Sequence, residues 1–493
     1  MKTRPRSLRN LFCGGTKGSS SRLSLSLLRG LFIASPVALL TSFGSVPSQA
    51  ADPAEVAEAM ERAARFYHGS VSRQGGYVYY TSPDFSRRLG EGVAGEQEIW
   101  VQPPGTPMVG EAFLKAYQST KRPLYLQAAQ DAAEALLHGQ LQSGAWTNSI
   151  DFDPKGPRTA RYREGRGNPR GRNFSTLDDN ISQAALQFLM RLDQVLEFSD
   201  REIHEGVTYA LDALLEAQFP NGAFPQGWDE TLVQPEASSQ VKGNYPEYDW
   251  RTEGRIKEYW DQYNLNDDIA PTVVATLILA HQVYERGDCL EALKRLGDFL
   301  IRSQMPAPQS GWAQQYNQDL MPIWARAFEP PAVSGRETEG VVAALLETAV
   351  YTRDAKYLGP IPDALRYLEE SELPGRMLAR YYELETNRPL YMEREGKVYR
   401  LSYDDARLPS HYGWKTPSRV DELRKAYQDV LARKPLPDPV LPESERAPTF
   451  LKCSSLSTKR GVGFRSLPAN GSLGSPNSRR ANLISTVRYS PET

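Results

Sequence analysis

Two acid-rich segments and one arginine stand directly ahead of helix-period runs. Thr176-Leu177-Asp178-Asp179-Asn180 leads into an apolar stripe at 181–197, Asn266-Asp267-Asp268 into one beginning near Pro271, and Trp324-Ala325-Arg326-Ala327-Phe328-Glu329 into one beginning near Val341. A single Asp or Asn would be enough to cap each helix. Acidic clusters at the same phase of neighbouring repeats invite a second reading. If the helices run side by side, both clusters reach one end of the bundle and repel unless a cation lies between them. Asp178, Asp179, Asp267 and Asp268, with Asn266, offer only oxygen, which favours Ca²⁺ over zinc. The five histidines are scattered without helical ligand spacing, which also speaks against zinc. A carboxylate-held cation beside a guanidinium is suited to chemistry on an acidic polymer. The plain alternative for Arg326 is a buried pair with Glu329.

The elements that must position these groups form a repeat. Its unit is a helix, a short turn, a second helix, then Gln-x-x-x-Gly and an aromatic residue. Copies end at Gln140-Leu141-Gln142-Ser143-Gly144-Ala145-Trp146, at Gln218-Phe219-Pro220-Asn221-Gly222-Ala223-Phe224 and, with a longer loop, at Gln304 and Gly311-Trp312. Gly75-Gly76-Tyr77 resembles a degenerate earlier end. Ile181, Ala185, Phe188, Leu189, Leu192 and Leu196 recur at helical spacing, as do Ile203, Val207, Leu211 and Leu214 after them. Pro271 fits a first helical turn ahead of Val273, Val274 and Leu277. Ser334-Gly335-Arg336-Glu337 has the form of a capping box before Val341, Val342, Leu345 and Leu346. A further helix is expected near 360–371. The expected fold is all-α: an α/α toroid of antiparallel helix hairpins, with short β arms at Tyr77–Tyr80 and Lys397–Leu401 and long loops. Ring closure would supply the core that single hairpins lack.

Charge is unevenly spread. Residues 1–50 carry seven Lys/Arg and no acid, and 446–493 carry eight and one; the body between them has 43 basic and 59 acidic residues, a net charge of about −16. Such a body repels a polyanion unless a local basic patch or a bound cation intervenes. The loop 154–175 is one candidate patch: Lys155, Arg158, Arg161, Arg163, Arg166, Arg170 and Arg172 against Glu164. It mixes Arg with Tyr, as single-strand nucleic-acid binders do, but the acidic body and the leader argue for no nucleic-acid partner. That leader, a basic stretch, a short apolar run and Val46-Pro47-Ser48-Gln49-Ala50, reads as an export signal over residues 1–50, with a transit peptide or retained anchor as the alternative. A periplasmic or extracellular monomer without a stable membrane span is expected. Residues 51–433 would form the toroid, interrupted by the basic loop and by a polar insertion at 229–262; residues 434–493 read as a Pro/Ser/Arg-rich disordered tail. Cys289 and Cys453 allow at most one disulfide, so this is no disulfide scaffold.

At these residues the chain resembles the pectate lyases of polysaccharide lyase family ten, over roughly 60–430. Thr176-Leu177-Asp178-Asp179-Asn180 with Phe188-Leu189, Gln218 to Gln226, and Leu265-Asn266-Asp267-Asp268 follow the family's motifs in order. So do Trp312 to Asn317, Ala325-Arg326-Ala327-Phe328-Glu329 and Ala379-Arg380-Tyr381-Tyr382-Glu383-Leu384-Glu385-Thr386-Asn387-Arg388-Pro389. Departures are Ala223 and Phe224 for Gly and Trp, Tyr316-Asn317 for His-Asp, and Asp179 for Asn. The resemblance implies Ca²⁺, a polygalacturonate substrate and β-elimination, with Arg326 as proton acceptor. Arg388, stiffened by Pro389, would grip a carboxylate or serve as a structural clamp. Arg380 and Asn387, with Arg172 of the basic loop, complete the candidate substrate-binding set. Two alternatives stand beside this reading. One is a glycoside hydrolase on the same toroid, with Asp178 and Asp267 as its acid/base pair; the other is a non-catalytic polyanion-binding protein.

Overall fold

The apolar stripes of the sequence become the buried row of a double layer of helices. A computed structural model describes residues 52–235, 241–253, 255–256 and 259–432. The leader and the tail therefore lie outside the described residues. Two compact units divide at Ala64; helix α1 (Pro53–Phe66) spans that boundary, and everything below concerns the second unit. There α2 (Thr106–Thr120), α4 (Ile181–Val195), α6 (Ile269–Tyr284) and α8 (Gly335–Thr352) pack consecutively. Each is followed by an antiparallel partner: α3 (Pro123–His138), α5 (Arg201–Ala217), α7 (Gly287–Arg302) and α9 (Ile361–Glu370). Helix α10 (Val420–Ala432) packs on α8 and α9. This is the α/α toroid architecture. The inner helices are buried on most faces, as Ile181, Phe188, Leu189, Val273, Val274, Leu277, Val342 and Leu345 show.

The Gln-x-x-x-Gly repeat is a clamp between successive hairpins. Gln140 Nε2 donates to the carbonyls of Gly144 (2.9 Å) and Gly206 of α5 (2.8 Å). Gln218 repeats this with Gly222 (3.0 Å) and Ala292 of α7 (2.9 Å), and Gln304 with Ser310 (2.9 Å) and Pro360 (3.0 Å). Each glutamine thus closes its own turn and satisfies an otherwise enclosed carbonyl of the next hairpin. At three of the repeat ends the aromatic is tied inward. The amides of Tyr77, Trp146 and Trp312 donate to the hydroxyls of Thr106, Ser182 and Thr338 at the starts of α2, α4 and α8.

Gly222 has φ +96°, and a Cβ there would stand 2.0 Å from the carbonyl oxygen of Arg295. Gly222→Ala is expected to lower unfolding stability by about 2–4 kcal/mol, the sum of left-handed strain and a backbone clash. Gly165, with φ +74° but open space around it, is the control. Gly165→Ala should lose only about 1–2 kcal/mol in the same urea titration.

The β content exceeds two short arms. Tyr80–Thr81 pairs with Arg88–Leu89. Of the arm expected at Tyr77–Tyr80 only Tyr80 lies in a strand, and the Tyr77 amide is committed to Thr106 instead. Val398–Ser402 forms as expected, and it joins a five-stranded antiparallel sheet through Pro389–Glu395, Tyr381–Tyr382, Val333–Ser334 and Trp312–Ala313. This sheet carries the segment from Tyr381 onward, while Met377–Ala379 pairs separately with Lys415–Pro417 and packs against α8.

Candidate active site

Both acidic segments adopt the same turn. Asp179 and Asn180 have φ of 48° and 61°, and Asp267 and Asp268 have φ of 53° and 61°. Two successive left-handed residues are tolerated here because Asp and Asn enter that region more readily than most residues. Neither Asn180 nor Asp268, at the N-cap positions of α4 and α6, makes a side-chain capping hydrogen bond. The acids are therefore not spent on capping. The turns touch one another, because α4 and α6 are adjacent and run in the same sense.

The result is a three-carboxylate cluster. One oxygen each from Asp178, Asp179 and Asp267 lies within 4.8 Å of the others. The Asp178 Oδ1 atom is enclosed without a hydrogen-bond partner. An orphaned, buried acceptor among two further carboxylates fits a hard divalent cation, and the oxygen-only donor set fits Ca²⁺. Gln102 Nε2 holds Asp179 Oδ2 (2.8 Å) and also donates to Glu91 (2.9 Å).

Arginines ring the cluster. Arg326 Nη2 donates to Asp267 Oδ2 at 3.1 Å, and its Nε lies 2.9 Å from Glu329 Oε1. Glu329 is fully buried and ties the turn: its Oε2 accepts from the Arg326 amide, and its Oε1 also accepts from Gln314 Nε2 (2.9 Å) and the Tyr412 hydroxyl (3.2 Å). Arg380, 2% exposed, stands behind Asp267 at 3.7 Å; its Nη2 contacts Glu337 (2.9 Å) and Asn266 Oδ1 (3.1 Å). Asn266 Oδ1 also accepts from Gln314 Nε2. Asp268 turns away from the cluster to Arg336, 2.6 Å from its Nη2. A cavity of about 530 Å³ opens over Arg326, lined by Arg255, Tyr259, Ala325, Ala327 and Phe328. Arg255 and Tyr259 belong to the 229–262 insertion, which is pinned by a bridge between Arg255 and Trp324.

Three other candidates lie elsewhere. Arg388 is exposed and stacks 3.6 Å above the Tyr403 ring, and among the described residues no contact joins it to the aspartates. Asn387 is a structural hub: its Oδ1 accepts from Gln309 and Tyr367, and its Nδ2 donates to Ser371. Arg172 stacks on Phe174, 4.6 Å from the ring centroid. The rest of the basic loop is largely neutralised, with Arg158 on Glu98, Arg161 on Glu230, and Arg163 and Arg166 on Glu164. Sequence reading passed over Gln102, Glu91, Arg336 and Tyr412. Only Arg336 carried a signal, as a cation inside a capping box whose Glu337 serves Arg380.

Electrostatics separate the three acids. Burial, then the neighbouring Asp267, pushes Asp178 up to about 8; burial and the charges of Asp267 and Glu91 push Asp179 up to about 6. Burial would also raise Asp267, but the hydrogen bond with Asp178 and the charges of Arg326, Arg380 and Arg336 outweigh it and hold the group below the usual range. A raised carboxyl contributes stability that is complete below its unfolded pKa and is lost as pH rises through the folded value. The contributions of Asp179 and Asp178 are thus expected to vanish through about pH 6 and about pH 8 in the metal-free protein. Thermal melts in chelator should show Tm falling across that window. The increment from added Ca²⁺ should grow with pH, and Asp178→Asn should flatten the slope.

Residues 153–357 match the sequence model of the family described as pectic acid lyase. The chain resembles that family over this span. It is a polysaccharide lyase, and this takes the place of the glycoside-hydrolase alternative. The matched span contains the three aspartates and Arg326. Among solved structures, the lyase is similar to a family 10 polysaccharide lyase from Cellvibrio cellulosa (19% identity, 66% of this chain and 97% of that one, TM-score 0.45). A mutant of that enzyme in complex with trigalacturonic acid gives the same identity and TM-score, with 98% of its chain covered. A cellobiose 2-epimerase from Spirochaeta thermophila follows (14% identity, 68% and 75% covered, TM-score 0.40). No curated protein sequence matches the chain significantly.

Proposed function

We propose that this lyase is an exported, Ca²⁺-dependent enzyme that cleaves polygalacturonate by β-elimination, giving 4,5-unsaturated products. The observation that carries the reading is the meeting of Asp178, Asp179 and Asp267 within 4.8 Å, with Arg326 Nη2 donating to Asp267 at 3.1 Å. The family match, and a relative crystallised with trigalacturonic acid, support the substrate.

Asp178, Asp179 and Asp267 would hold Ca²⁺. When bound, the ion supplies positive charge that acidifies the uronate C5 proton and offsets the carboxylates around Arg326. Arg326 would take that proton. Its Nε faces Glu329 and its Nη2 Asp267, so among the described residues Nη1 is the nitrogen left to face C5. The C5–H pair becomes the C4–C5 double bond as the C4–O4 bond breaks, and O4 leaves to be protonated by solvent. Burial would lower the Arg326 pKa, but Glu329, Asp267, Tyr259 and Asp178 raise it. Proton acceptance therefore requires those charges to be balanced, and activity should favour alkaline pH. Arg380, enclosed behind Asp267, acts by fixing that carboxylate. Arg388 and Arg172, both exposed, are proposed to meet the polymer outside the centre, whereas Asn387 serves the scaffold.

The test is ultraviolet absorbance of the conjugated product from polygalacturonate, with Ca²⁺ and after chelation. Product that requires Ca²⁺ is expected. Equal product in both arms would sink the metal role, and reducing sugar without new absorbance would sink elimination.

A further inference from the structure

Arg73, Arg87 and Arg88 line a second cavity of about 360 Å³, together with Phe85, Val93 and Glu96. In this acid-rich body most guanidiniums are paired, yet among the described residues these three form no ion pair. Arg88 is 6% exposed. Its Nη1 donates to the carbonyls of Gly95 (2.5 Å) and Glu96 (3.1 Å), while its Nε and Nη2 are enclosed without partners. Arg73 Nη1 reaches only the carbonyls of Ser70 (3.1 Å) and Ser72 (2.8 Å), and Arg87 is exposed. Glu96 stands on the cavity wall but pairs with none of the three; buried Glu98 is taken by both contacts from Arg158, at 2.7 and 2.8 Å. A buried cation without an ion-pair partner is unfavourable, and burial, with the Arg73 charge, depresses the Arg88 pKa against the opposing charges of Glu98 and Glu96, the reverse of the arginines around Asp267.

Position argues for what the counter-charge is. The strand that carries Arg88 leads within three residues to Glu91, which shares Gln102 with Asp179. One short segment thus serves both the cavity and the catalytic rim. The surrounding body is negative and repels a polyanion except where cations gather. We propose that this cavity is a carboxylate subsite that engages a uronate of the polymer away from the elimination centre, with Arg73 and Arg87 as the reachable donors and Arg88 as the buried charge beneath them. The proposal rests on the pectate reading. A free inorganic anion such as phosphate would satisfy the same charges.

The experiment compares the full chain with Arg87→Met and with Arg73→Met/Arg87→Met, on polygalacturonate and on trigalacturonate, alongside calorimetric titration with phosphate. Because Arg87 is exposed, the single variant keeps the test open if the double variant is unstable. The expected result is a KM for the polymer raised roughly ten- to a hundredfold in the double variant, the loss of charged hydrogen bonds. Turnover at saturation and the kinetics on the trimer should hold. An unchanged polymer KM overturns the subsite, as does phosphate binding that is lost in the variants without any effect on the polymer. If the wild-type chain forms no unsaturated product from polygalacturonate, the pectate reading has failed. The cavity is then judged by polygalacturonate affinity electrophoresis: retardation of wild type but not of the double variant supports it, and equal migration overturns it.

Discussion

Asp267→Ala is expected to lose both the cation and the activity. Asp267 is where every part of the site meets: it is one of the three converging carboxylates, it receives Arg326 Nη2 at 3.1 Å, and it faces Arg380 at 3.7 Å. Removing it leaves two carboxylates of the three, too few anionic oxygens to hold a hard divalent cation as firmly. It also removes an anion from Arg380, which is 2% exposed and keeps Glu337, Asn266 and the Tyr412 ring. Turnover of polygalacturonate should fall by roughly a hundred- to a thousandfold or more, the scale of losing one preorganised electrostatic contact. Calorimetric Ca²⁺ affinity should fall with it. Asp267→Asn, which keeps shape but not charge, separates the roles: it should lose Ca²⁺ affinity almost as fully while retaining more of the thermal stability. An alanine variant that binds Ca²⁺ like wild type would remove the cluster from the proposal.

What could be read in the sequence was whatever depends on local period and local residue type. The stripe at 181–197 became α4, the acid-rich segments became matching turns, and Gln-x-x-x-Gly marked the hairpin ends because a side-chain amide there must satisfy a carbonyl two helices away. What could not be read is long-range. Nothing local says that Gln102 holds Asp179 across 77 residues, or that Arg380 reaches Asn266 across 114. The strand at Pro389–Glu395 was hidden because its partners, Val398–Ser402 and Tyr381–Tyr382, lie on both sides of it and only the sheet makes its pattern meaningful. Charge count misled in the basic loop. Seven cations against one acid looked free, but Glu98, Glu230 and Glu202, distant in sequence, come to meet them. Three guanidiniums without an ion pair among the described residues instead share one cavity, at Arg73, Arg87 and Arg88, where the sequence shows no dense charge run.

Arg326→Lys should be the most informative single change, because it keeps a cation while losing the fork. A lysine ammonium is a compact point charge and cannot face Glu329 and Asp267 from two directions while presenting a third nitrogen to substrate. If Arg326 accepts the C5 proton, release of unsaturated product should drop roughly a hundred- to ten-thousandfold, the range for losing a positioned acid/base group. KM and Ca²⁺ affinity should stay near wild type, since the three carboxylates remain in place. That division is the reverse of the one expected at Asp267. Alanine is the poorer probe: it strips the counter-charge from Glu329, which is fully buried and would keep only Gln314, Tyr412 and the residue-326 amide, so lost activity and lost stability would arrive together. The pH profile adds a second readout. Because Glu329 and Asp267 hold the Arg326 proton tightly, wild-type turnover should climb toward alkaline pH, whereas the lysine variant, with its lower intrinsic pKa, should reach its smaller maximum at lower pH. A variant that keeps both rate and profile would assign the proton to another group.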